Sequence, residues 1–154
     1  MLIIRKPEES DWPEMLAMGV EFAASNPHNV GFSPDAFRGL FDHAMTGDHL
    51  AFWIARSNGI AAGMMGAITY PLFFNPAMKI AQELFWWVNP KHRATQAGKA
   101  LLASFEGWAE KSGAHRLMLL AQENDRIPAI DRLYKTMGYA PIERVYYKEL
   151  APWQ

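Results

Sequence analysis

The stretch that most restricts the fold is Val88-Asn89-Pro90-Lys91-His92-Arg93-Ala94-Thr95-Gln96-Ala97-Gly98-Lys99-Ala100-Leu101-Leu102. An apolar run reading as a strand, Lys79 to Val88, stops at Asn89-Pro90. Within a few residues a helical stripe begins: Ala97, Leu101, Leu102, Phe105 and Trp108, inside a helix predicted over Thr95 to Lys111. Ser112-Gly113 ends that helix, and Leu117 to Ala121 reads as another buried strand. A strand, a long helix and a second strand in immediate succession require a sheet with helices laid on it. The first N–H groups of the helix have no internal partners and carry the positive end of its dipole. The small residues Ala94, Ala97, Gly98 and Ala100 open that backbone to an anion, and Arg93 and Lys99 add positive charge. This suits a pyrophosphate; the alternative is a turn kept compact for packing. A Walker loop is excluded, because Arg93 and Ala100 stand where Gly and Ser or Thr are needed. The three-glycine dinucleotide fingerprint is absent as well.

The remaining elements surround this unit. Leu2-Ile3-Ile4 forms a short first strand ended by Pro7, and Ser10 is a candidate helix cap ahead of Pro13. Residues 25–33 form a loop, and Ser33-Pro34-Asp35 starts a second helix running to about Thr46. Leu50 to Arg56 and Ile60 to Tyr70 pair across the hairpin turn Ser57-Asn58-Gly59. Pro71 to Pro76 is an aromatic loop, Ile127 to Met137 a helix with Gly138 after it, and Val145 to Leu150 a last strand. The order is βααβββαβαβ, which predicts one α/β domain over residues 1–154 with a mixed sheet flanked by helices.

Composition narrows the chemistry. Fifteen Lys and Arg against sixteen Asp and Glu leave a net charge of -1, so no basic excess points to nucleic acid and none is expected as a partner. The absence of cysteine rules out disulfides, thiolate metal sites and a cysteine nucleophile. The five histidines lack metal spacing, so no metal is expected. No leader-like N-terminus or bilayer-length apolar run appears, so a cytoplasmic protein without membrane contact is expected.

Two single residues invite a chemical role. Glu83 is one carboxylate in an otherwise apolar strand; alternation puts it on a face with Phe85 and Trp87, opposite Leu84, Trp86 and Val88. Burial would raise its pKa and make it a base near neutral pH; exposure to water or pairing with a cation is the alternative. Tyr134 lies near a helix end, where a phenol either packs half-buried or serves as an acid.

Taken together, these segments resemble the GNAT family of acetyltransferases. The family's acetyl-CoA motif, Arg/Gln-x-x-Gly-x-Gly/Ala after a strand ending Val-x-Pro, is similar to Val88-Asn89-Pro90 with Arg93 to Gly98. The downstream motif is similar to Asn124, Ala129, Leu133-Tyr134 and Gly138-Tyr139, and Ile4-Arg5 with Asp11 to the family's opening. Gln96 replaces the first glycine of the motif.

The resemblance implies a mostly antiparallel, splayed sheet, with acetyl-CoA in a V-shaped opening between the strands ending at Val88 and Ala121. It implies cofactor contacts from Trp87, Val88, Arg93, Ala94, Thr95, Gln96, Ala97, Gly98, Lys99, Asn124 and Tyr134. It implies direct attack by an amine in a ternary complex, with Glu83 as base and Tyr134 as acid. The acceptor, a small-molecule or peptide amine, is expected between residues 25–33 and 70–76 against Phe32, Phe73 and Phe74. The same aromatic loops also suit a homodimer interface. The alternative for Gln96 is a catalytically inactive domain that holds acyl-CoA without turnover, or one that has lost the cofactor and acts through protein contacts.

Overall fold

A computed structural model describes residues 1–28, 31–124 and 126–151. Asn29 and Val30 of the predicted loop over 25–33, and Asp125 before the last helix, lie outside the described residues. The elements are β1 (Leu2–Arg5), α1 (Trp12–Ser25), α2 (Pro34–Thr46), β2 (Leu50–Ser57), β3 (Ile60–Leu72), β4 (Asn75–Val88), α3 (Ala97–Lys111), β5 (Arg116–Met118) and α4 (Ile127–Thr136). Short 3-10 turns at Glu9–Asp11 and Pro90–His92 precede α1 and α3. The strands form one sheet in the order β1-β2-β3-β4-β5, antiparallel except for the β4–β5 pair. This is the mixed, mostly antiparallel sheet that the sequence predicts.

Each face of the sheet buries its own core. On one side Met15 and Met18 of α1 and Phe37 and Phe41 of α2 pack on Phe52, Ile54 and Met64. On the other, Leu101, Leu102 and Phe105 of α3 cover Ala51, Ala55, Ala62, Met65 and Ala67. The α3 face of the sheet is rich in alanine because the helix lies directly on it, whereas the α1–α2 face carries the large aromatic rings. Ser33 caps α2 as its sequence suggests, its Oγ accepting the Ala36 N–H at 3.1 Å. Ser10 does not cap α1; it sits inside the 3-10 turn, and Asp11 takes the position before the helix.

Asp11 ties the N-terminal strand to the rest. It is fully buried, yet it accepts two hydrogen bonds from Arg5 (2.6 and 3.0 Å), two from Arg56 (3.1 and 2.6 Å) and one from the Glu8 N–H (2.7 Å). Burial pushes its pKa up, but the two guanidinium groups and the N–H outweigh that and bring it down to about 2. Arg56 also bonds Glu14 of α1 and the Gly59 carbonyl of the β2–β3 turn.

Three predicted elements differ. Pro71 to Pro76 is no loop: β3 and β4 run on to a tight turn at Phe73-Phe74, and β4 begins at Asn75. The strand predicted over Leu117 to Ala121 shortens to Arg116–Met118, since β5 leaves β4 after Met118. The last strand, Val145 to Leu150, does not form. Its alternation needs a sheet edge, and β5 offers three residues of ladder. Residues 140–150 instead run in the open, where Tyr147 meets the His28 ring (Oη to Nδ1, 3.1 Å) and Arg144 pairs with Glu123.

Replacing Asp11 by Asn should leave two arginines without their buried counter-charge and cost about 3 kcal/mol or more. Urea denaturation at neutral pH measures this; a loss under 1 kcal/mol would show that the network is not what fixes β1.

Candidate active site

The site is organised by an irregularity in β4. Gly66 pairs with Phe85 and Ala67 with Glu83, so Leu84 has no partner on β3 and forms a β-bulge. Gly66 makes this possible: a Cβ there would lie 2.4 Å from the Phe85 ring. The bulge breaks the predicted alternation. Leu84, Phe85 and Trp87 all pack toward the α1–α2 core, while Trp86 and Val88 pack toward α3. Glu83 therefore does not share a face with Phe85 and Trp87. Two positions from Ala81, it shares the α3 side with Ala81 and Trp86.

Beside the bulge the sheet opens. The β4–β5 register covers Ile80–Arg116, Ala81–Leu117 and Gln82–Met118, and β4 then continues unpaired on that side to Val88. The Asn89 N–H bonds the Ala62 carbonyl of β3. In an antiparallel ladder successive residues turn their polar groups to opposite sides, so the N–H and C=O of Val88 face the opening. The Val88 carbonyl is taken by Arg93 Nε at 3.0 Å, and the Arg93 guanidinium lies over the Trp87 ring at 4.9 Å. Arg93 thus clamps the loop after β4 onto the strand end.

The structure brings Glu83 and Tyr134 together at the opening. Glu83 is 6 % exposed, and its Oε2 accepts the Leu120 N–H at 3.1 Å. Tyr134 Oη donates to the carbonyl of the same Leu120 at 3.2 Å. The Tyr134 ring lies parallel to Trp86, 10° between planes. Burial raises the Glu83 pKa to about 7, partly offset by the Leu120 N–H. Burial, and then the charge of Glu83, push the Tyr134 pKa up, which keeps the phenol protonated.

The start of α3 offers a cradle for a phosphate group. Arg93 to Gln96 form the approach and Ala97 the first helical residue. Thr95 Oγ1 accepts the Ala97 N–H at 3.2 Å, leaving the N–H groups of Gly98 and Lys99 in the unbonded first turn. Gly98 faces Val88 and Trp86, whose atoms lie 3.5 and 3.8 Å from where a Cβ would sit. The indole N–H of Trp86 is buried without a partner among the described residues. Gln96 is exposed with φ -76°, a backbone any L-residue adopts, so the loop does not require glycine there. Ala94 and Lys99 are exposed on the same loop and first turn. These features fit the phosphate and pantetheine parts of acetyl-CoA. The Asn124 side chain accepts the Arg126 N–H at 2.9 Å, just ahead of α4.

On the other face of β4 lies a cavity of about 580 Å³. Phe32 lines it with Phe22, Phe37, Leu84 and Phe85. Phe73 and Phe74 do not join it; they are 84 % and 91 % exposed at the hairpin tip and touch each other. Sequence reasoning missed His43 and His49, which pack edge to face at 4.9 Å on the cavity wall. They are six residues apart across a helix end, a spacing that carries no signal.

The profile of the acetyltransferase (GNAT) family matches residues 15–139. No curated protein sequence matches the chain. Among solved structures, it is similar to AAC(6')-Iy in complex with the bisubstrate analogue CoA-S-monomethyl-acetylneamine: TM-score 0.77, 18 % identity, covering 98 % of this chain and 99 % of that one. It is similar to glucosamine-6-phosphate N-acetyltransferase from Arabidopsis thaliana, with TM-score 0.76, 16 % identity and coverage of 98 % and 99 %. Ribosomal-protein-alanine N-acetyltransferase from Brucella melitensis biovar Abortus 2308 gives TM-score 0.72, 19 % identity and coverage of 97 % and 99 %. The family match spans the bulged strand, the opening beside it, the α3 cradle and the Glu83–Tyr134 pair, and the chain belongs to the GNAT family of acetyl-CoA-dependent N-acetyltransferases.

Proposed function

We propose that this protein transfers acetyl from acetyl-CoA to a primary amine by direct attack in a ternary complex. The observation that carries the reading is the convergence of Glu83 and Tyr134 on the backbone of Leu120, where β4 and β5 part. Acetyl-CoA supplies the activated thioester. The loop over Ala94, Thr95, Gln96, Ala97, Gly98 and Lys99 holds its pyrophosphate, and the backbone of Trp87 and Val88 aligns its pantetheine arm. The Val88 N–H faces the opening and is placed to stabilise an oxyanion.

The amine arrives protonated. Glu83, with a pKa of about 7, takes that proton through a water in the opening beside β4. The freed nitrogen forms a C–N bond to the acetyl carbon, and the C–S bond breaks. The leaving thiolate takes a proton from Tyr134, which burial keeps in its acid form, and the second proton of the new amide nitrogen restores the phenol.

Two predictions test these roles. Tyr134→Phe should lower kcat by about a hundredfold or more. Acetyl-CoA binding should persist, seen as about 2.7 kcal/mol of added stability at a hundred times its Kd. Unchanged turnover would remove Tyr134 from the reaction. For Glu83, the raised pKa means that the unfolded chain ionises this carboxyl before the fold does. Its contribution to stability is therefore complete below about pH 4.5 and falls away as pH rises to about 7. Glu83→Gln lacks that loss, so between pH 4.5 and 8 urea denaturation should show the variant gaining about 3 kcal/mol on the native protein. In parallel its kcat should fall at pH 7 and recover partly at higher pH. A pH-independent stability difference would place Glu83 in water and end its case as a base.

A further inference from the structure

We infer that the 580 Å³ cavity behind β4 is the acceptor pocket and that it selects amines carrying a single charge on an aryl or alkyl body, against polycations such as polyamines and aminoglycosides. The inference rests on the acetyl-transfer reading above. Its volume falls within the range of about 300–1,000 Å³ usual for small-molecule sites. Leu84 and Phe85, the bulge residues, form its inner wall, so a ligand there reaches the strand at the point where the sheet opens.

The chemistry of the wall sets the selection. Among the described residues no Asp, Glu, Lys or Arg lines the cavity; its polar side chains are Asn26, His28, His43 and His49. The aromatic rings accept an apolar body, and the faces of Phe22, Phe32, Phe37 and Phe85 also tolerate one ammonium. An imidazole nitrogen or the Asn26 amide can take one hydrogen bond from it. A second or third ammonium would lose its hydration with no carboxylate to replace it. A polycation would need carboxylates for its further ammonium groups, and the described wall has none. Leu40, on α2, is half-exposed at the rim.

The test is CoA-thiol release by the full-length protein with acetyl-CoA and four amines: 2-phenylethylamine, tryptamine, spermidine and neamine. The expected result is a kcat/KM for the two aryl amines at least a hundredfold above that for spermidine and neamine. In Leu40→Asp, which places a carboxylate at the rim, spermidine should gain tenfold or more while 2-phenylethylamine loses. Spermidine or neamine turned over as fast as the aryl amines would overturn the selection and leave acetyl transfer standing. An unchanged preference in Leu40→Asp would overturn the assignment of the cavity. If no amine releases thiol, acetyl transfer itself fails. Saturation-transfer NMR of 2-phenylethylamine with CoA present then decides the cavity separately: signal in the native protein that falls in Phe32→Ala upholds the pocket, and no signal overturns it.

Discussion

The site depends on the parting of two parallel strands. β4 and β5 pair for three residues and then separate, which would leave a row of backbone groups on β4 without partners. Side chains rather than ladder take up part of that loss on both sides: Arg93 takes the Val88 carbonyl of β4, and past the end of β5 Glu83 takes the Leu120 N–H and Tyr134 donates to the Leu120 carbonyl. What remains open is a slot with polar edges and the positive end of α3 at its mouth. The backbone groups facing that slot are free to bond water or a ligand. The pantetheine arm of acetyl-CoA, an extended chain of amides, suits it.

The bulge at Leu84 serves both faces of the sheet. By adding one residue it turns Glu83 toward α3 while Leu84 and Phe85 close the cavity on the opposite side. The carboxylate, the opening and the cavity therefore meet along three consecutive residues. The frame that holds β4 in place is ordinary packing: alanines under α3, aromatic rings under α1 and α2, and the Asp11 network fastening β1 to β2.

The fold alone does not choose the acceptor. Three solved structures share it at 16–19 % identity, and their names refer to acetylneamine, glucosamine-6-phosphate and ribosomal-protein alanine. Discrimination has to come from the walls of the cavity, which α1, α2 and the loop between them build. In this chain those walls are aromatic and imidazole rather than acidic.

By itself the sequence determined most of the element order and the βαβ unit around α3, and it singled out the loop from Arg93 to Gly98, Glu83 and Tyr134 as candidates. These are local signals: a strand stop at Asn89-Pro90, small residues at a helix start, one carboxylate in an apolar run. Only the tertiary structure decided the bulge, since an extra residue in one strand is defined by the partner it fails to meet, here between Gly66 and Ala67. It alone separated Phe73 and Phe74 from Phe32, because a hairpin that extends to its turn carries its tip out into solvent. It withheld the last strand, because alternation in residues 145–150 describes a segment able to pair, while pairing needs an edge that β5 ends too soon to give. It also joined His43 to His49 and both catalytic candidates to one Leu120. Contacts between residues distant in the chain, or across a helix end, leave no periodic trace in a single sequence.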